Sequence, residues 1–128
     1  MKTIKHTNPD GSVYGVRLGN DVSLGDYVRL GNDVSLGNGV RLGNDVSLGN
    51  DVSVEANTLI CAGRDHRGYE FLGVPHKGAL MIAAGCRWFT LSEALEHWAE
   101  NAEALAKVRF IKSEHLRLAR LDKSGEDA

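Results

Sequence analysis

From Val16 to Asn57 the chain reads VRLGND VSLGDY VRLGND VSLGNG VRLGND VSLGND VSVEAN, seven consecutive hexads in register. Self-similarity at a fixed period marks a repeat architecture and takes precedence over any local assignment. Within a hexad, Val and Leu stand two apart across a single Arg or Ser, the spacing of a short strand with one buried side. Gly then leads into Asn or Asp, the side chains that most readily accept turn and left-handed dihedrals. Each hexad is therefore one short strand and one tight turn. A helix fits poorly, since Gly at every sixth position weakens it by about 1 kcal/mol each relative to Ala.

Identical turns of one hand wind strands into a coil instead of folding them back as hairpins. The segment resembles the hexapeptide-repeat family. Its carriers are Leu18, Leu24, Leu30, Leu36, Leu42 and Leu48, each followed by Gly, together with Val22, Val28, Val34, Val40, Val46 and Val52. The resemblance implies a left-handed parallel β-helix of triangular section with three hexads per coil, and a trimeric assembly. Eighteen residues per coil would stack Arg17 under Ser35 and Ser53, Ser23 under Arg41, and Arg29 under Ser47. Each face then carries one Arg among serines, which spreads positive charge evenly and makes no groove.

The repeat needs caps at its open ends. Residues 1–15 are expected to supply one, because Lys2 to Thr7 alternates like a strand and Asn8-Pro9-Asp10-Gly11 is a turn signal. The coil is expected to span 16–62, with residues 58–62 completing its last turn. A hairpin and helical region follows at 63–122, and then a frayed tail at 123–128. In that third region Tyr69–Val74 and Ala79–Ala84 read as strands joined through Pro75-His76-Lys77-Gly78. Thr90 and Glu93 form a T-x-x-E capping box that opens a helix with Leu91, Ala94, Leu95 and Trp98 on one face. A second helix from near Asn101 carries Ala104, Val108, Ile111, His115 and Leu118 as a heptad stripe, with Phe110 and Leu116 off it. The expected fold is α+β: a short left-handed β-helix, a β-hairpin and two C-terminal helices. The stretch from Gly68 to Leu118 also loosely resembles small phage and prophage proteins of unassigned function, through the hairpin, Ala84-Gly85-Cys86-Arg87 and Phe89-Thr90-Leu91-Ser92-Glu93-Ala94 with Trp98.

Over 128 residues the chain is 42% apolar and 25% charged, with 15 Lys and Arg against 17 Asp and Glu for a formal charge of -2. Such a balance offers no global attraction for a nucleic-acid polymer or an anionic membrane. No apolar run is long enough to span a bilayer and the N-terminus has no signal core, so a cytoplasmic setting is expected, in a bacterial host if the gene is a phage's.

Hexapeptide-repeat acyltransferases use a histidine between coils as general base, and carbonic anhydrases of the same family bind zinc through three histidines. This chain departs from both, because His6, His66, His76, His97 and His115 all lie outside the repeat. Cys61, His66, His76 and Cys86 are zinc-binding residue types, but their intervals of 5, 10 and 10 match no compact ligand pair. No metal, no cofactor and no catalytic residue are assigned. The remaining constellation is Arg64, His66, Arg67, Tyr69, Lys77, Arg87 and Trp88, basic and aromatic residues with few acids among them. Guanidinium forks bind phosphate or carboxylate bidentately and rings stack on bases, so this mixture suits a small anion or nucleotide. The expectation is a non-catalytic homotrimer holding such a ligand in pockets between subunits, with sequestration of a host immune signalling nucleotide as one version. An inhibitor or assembly module acting on a host protein is the first rival, and a degenerate acyltransferase the second.

Overall fold

The computed structural model describes residues 2–85 and 87–126, with side chains up to residue 120. It is a mixed structure of strands and helices. The first hairpin pairs β1 (Lys2–Thr7) antiparallel with β2 (Val13–Leu18) around the Asn8–Gly11 turn. The hexads then give β3 (Ser23–Leu24), β4 (Arg29–Leu30), β5 (Val34–Leu36), β6 (Arg41–Leu42), β7 (Ser47–Leu48) and β8 (Ser53–Val54).

These short strands form three parallel ladders, β2-β5-β8, β3-β6 and β4-β7. Every pairing joins residues 18 apart: Arg17 with Ser35, Ser35 with Ser53, Ser23 with Arg41, and Arg29 with Ser47. Val28, Leu30, Val34, Leu36, Val40, Leu42, Val46, Leu48 and Val52 are buried inside, as the two-residue alternation dictates. The Leu18 and Leu24 side chains near the N-terminal end are only partly covered.

The turns explain the hexad's polar letters. The left-handed residue is the sixth, with φ near 60° at Asp21, Asp33, Asp45 and Asp51. The fifth-position Asn38, Asn44 and Asn50 accept through Oδ1 from the backbone N–H of Asn20, Asp26 and Asn32 one coil away, at 2.6, 2.7 and 2.8 Å. Gly is therefore needed less for its dihedrals than for space. A Cβ at Gly19, Gly25 or Gly31 would lie 2.6–2.8 Å from the backbone nitrogen of the asparagine stacked on it.

Both ends of the coil are closed. At the first, the Asn8 side-chain amide behaves like a strand residue: Oδ1 accepts from Leu30 N–H at 2.8 Å and Nδ2 donates to Leu30 C=O at 2.9 Å. At the other end, Glu70 and Trp88 stand over Gly43 and Gly49, where a further coil would place asparagines.

Beyond the hexads the chain builds an antiparallel sheet in the order β12-β11-β10-β9, from β9 (Ile60–Arg64), β10 (Glu70–His76), β11 (Ala79–Ala84) and β12 (Arg87–Thr90). Ile60–Ala62 thus leaves the coil and pairs with β10, so the boundary expected after residue 62 falls earlier. The hairpin turn is also shorter than expected. Pro75 and His76 extend the strand, and only Lys77 and Gly78, with φ of 48° and 78°, make the turn. Two consecutive left-handed residues match the twist of a two-residue hairpin.

The sheet lies between two partners. Leu72, Val74, Ala83 and Trp88 pack on the coil core, while Phe71, Ile82, Ala84 and Phe89 pack on the helices. Burial on both faces is why FLGV and LMIAA read as continuous apolar runs. Helix α1 (Leu91–His97) begins with the Thr90/Glu93 capping box. Helix α2 (Ala102–Glu126) buries Ala104, Val108 and Ile111, with Phe110 and Leu116 about half exposed. Its backbone runs through Lys123–Glu126, where a frayed tail was expected, and residues 127 and 128 lie outside the described residues. Among the described residues no helix is long and apolar enough to cross a membrane.

Candidate functional site

The loop 65–69 is held by one carboxylate. Asp65 is buried, and its Oδ1 accepts from the backbone N–H of Arg67 at 2.9 Å and of Tyr69 at 3.1 Å. Oδ2 accepts from Arg67 Nε at 3.0 Å and Nη2 at 2.8 Å. Burial alone would raise the Asp65 pKa, but the Arg67 guanidinium and these backbone donors outweigh it and hold the carboxyl below its ordinary value. The fork of Arg67 is thereby fixed, and its guanidinium carbon lies 4.9 Å from the centroid of the Tyr69 ring. Tyr69 in turn covers Gly85, which takes φ of 55° and has ring atoms 3.3–3.5 Å from where a Cβ would stand.

Across from this loop is the coil. Together they enclose a cleft of about 430 Å³, lined by Arg29 and Asp45 of the coil, Arg67 and Tyr69, Ala84, Gly85 and Arg87 of the sheet, and His97 and Trp98 at the end of α1. Arg29 and Arg87 have no ion-pair partner among the described residues. The Arg87 guanidinium lies 5.9 Å from the Phe89 ring centroid. The His97 ring sits 5.0 Å from both Phe89 and Trp98, so the far wall is an aromatic cluster. Beneath the Arg29 ladder, Ser47 Oγ is buried with no hydrogen-bond partner among the described residues. Counted as formal charges, three guanidiniums face Asp45 here while Asp65 offsets Arg67, which leaves the cleft cationic.

Of the residues singled out from sequence, the structure brings Arg67, Tyr69 and Arg87 together in this cleft. The others serve elsewhere. Arg64 lies 3.9 Å from Glu70, and Lys77 lies 3.8 Å from Asp51. His66 pairs with Glu103, which accepts from its backbone N–H at 2.9 Å and meets Nδ1 at 2.8 Å, contacts that hold the Glu103 carboxyl below its ordinary pKa. Trp88 faces the coil, with Nε1 2.6 Å from where a Cβ on Gly49 would be and its ring edge-on to His76. It is a capping residue, and an indole so placed lies outside the cleft lining.

Sequence reasoning missed Arg29, Asp45, His97 and Trp98. Arg29 and Asp45 look like ordinary repeat letters, and only the sheet folding back over one ladder distinguishes them. Of the zinc-binding residue types, Cys61 is exposed on β9, His66 is engaged by Glu103, and Cys86 lies outside the described residues. No group of metal-binding side chains occurs among the described residues. The cleft is lined by residues of the coil, the sheet and the end of α1.

Comparison with family models, curated proteins and solved structures finds no match to this chain.

Proposed function

We propose that this protein is a non-catalytic binding protein for a small anionic or nucleotide-derived ligand, held in the cleft between the coil and the antiparallel sheet. One observation carries the proposal: Arg29 and Arg87, from separate layers, line a single cleft with no ion-pair partner among the described residues, beside an Arg67 already oriented by Asp65. Unpaired guanidiniums in a concave, partly apolar site are suited to a phosphate or carboxylate. The aromatic wall of Tyr69, Trp98 and the adjoining His97 gives the organic part of such a ligand a surface to contact. The coil itself is proposed to be a left-handed β-helix, supported by the 18-residue ladders and the hexapeptide resemblance. A homotrimer, a phage origin and sequestration of a host signalling nucleotide rest on the sequence resemblances alone.

Calorimetric titration with pyrophosphate and ADP tests the anion site. Binding should weaken at least roughly tenfold in Arg29→Ala and in Arg87→Ala, each removing one charge-assisted contact. Arg64→Ala and Lys77→Ala should bind like the parent chain. Equal losses in all four variants would point to bulk charge and reject the cleft.

A further inference from the structure

The left-handed corner of the hexad is filled by Asp21, Asp33, Asp45 and Asp51, by Gly39, and once by Tyr27 at φ of 60°. Asp and Gly enter this backbone region at low cost, whereas a bulky aromatic residue is strained there. Packing gives Tyr27 nothing in return. At 71% it is the most exposed large apolar side chain among the described residues. For folding alone, the Asp found at the equivalent corners is the better residue. Backbone strain kept without a packing gain is characteristic of ligand-contacting positions.

Its position in the coil says what it would contact. Tyr27 stands one coil from Asp45 in the same corner, and the two turns are tied by Asp45 N–H donating to Asp26 C=O at 2.8 Å. Neighbouring parallel strands lie about 4.8 Å apart. Asp45 lines the cleft, and so does Arg29, two residues after Tyr27. Tyr27 is not itself in the cleft lining, but it adjoins two residues that are, Arg29 along the chain and Asp45 one coil away.

We propose that Tyr27 is the specificity residue of this site, stacking on the planar base of a nucleoside diphosphate whose phosphates meet Arg29 and Arg87. This rests on the anion-binding function proposed above and adds the ligand class. An exposed ring accepts any base face, so stacking supplies affinity for nucleotides over bare phosphates without selecting one base.

The test is calorimetric titration of ADP and of inorganic pyrophosphate into the parent chain, Tyr27→Asn and Tyr27→Phe, with a melting curve for each. Asn is at home in the left-handed corner, so Tyr27→Asn should fold and its Tm should rise by about 4 °C. ADP affinity should fall roughly tenfold in Tyr27→Asn and persist in Tyr27→Phe, while pyrophosphate affinity stays constant across all three. Unchanged ADP affinity in Tyr27→Asn, or equal losses for ADP and pyrophosphate, would overturn the stacking role and leave the anion site intact. Failure of the parent chain to bind either ligand would overturn the anion site, and the stacking role with it.

Discussion

The stacked hexads and the antiparallel sheet meet the same demand, a partner for every backbone N–H and C=O, by different means. Sheet strands of up to seven residues pair directly with one another and are covered on both faces. Coil strands are mostly two residues long, so many of their polar groups lie in turns, and side-chain amides of Asn38, Asn44 and Asn50 complete what the backbone leaves open. A coil of this kind is only as good as its ends, where no neighbouring turn supplies the next asparagine. The cleft forms at the seam, where the sheet that closes the coil also brings its loops over the Arg29 ladder.

The largest effect should come from the N-terminal closure. Asn8→Ala removes both partners of Leu30's backbone, and Asn8 is buried there. An N–H and a C=O left without partners and shielded from water should cost about 2.5 kcal/mol, read as a lower urea midpoint with little change in slope. Asn44→Ala removes only the bond to Asp26 N–H in an exposed turn, which water can replace, and should cost about 1 kcal/mol. Equal costs would mean that the end of the coil is no different from its middle.

How much of this was legible in the sequence follows the same division. The hexads state their own register, so the Arg17–Ser35, Ser23–Arg41 and Arg29–Ser47 stacking could be written down from spacing alone. The Thr90/Glu93 cap and the α2 stripe are equally local. What could not be read depends on unlike segments meeting at long range. Nothing local tells Trp88, which closes the coil, from a ligand-stacking tryptophan. Nor does a local signal separate Arg87, which has no ion-pair partner among the described residues, from Arg64, which lies beside Glu70. Arg29 joins the site only because the chain returns over it after nearly forty residues.

The seam depends on the 65–69 loop, which Asp65 holds in place. Asp65 has its pKa lowered in the folded protein, so its ionised form stabilises the fold above the ordinary carboxylate value of 3.8. That contribution is lost as the pH falls from there through the lower, folded value. Asp65→Asn should cost about 1.5 kcal/mol at neutral pH, since it gives up the charge-assisted bonds to Arg67 while keeping the shape. Denaturant curves at pH 7 and pH 3 check this. The gap between the two chains should narrow at the acid end, and a gap independent of pH would show that the charge is not what holds the loop.

The smallest effect has the opposite sign and tests the coil on its own terms. Gly39 takes φ of 73° at the corner that Asp fills in four other hexads, and a Cβ there would meet nothing closer than Ala56 Cβ at 4.0 Å. The glycine is thus required neither by crowding nor by a dihedral its siblings cannot adopt. Its remaining effect is on the unfolded chain, whose backbone freedom it increases. Gly39→Asn should therefore raise stability by about 0.5 kcal/mol, measurable as a small upward shift in Tm, because Asn tolerates the left-handed region through local side-chain hydrogen bonding. A loss of stability instead would mean that this corner is constrained by something outside the chain, such as a second copy packed against it. The six-residue rule would then be complete only in the assembled protein.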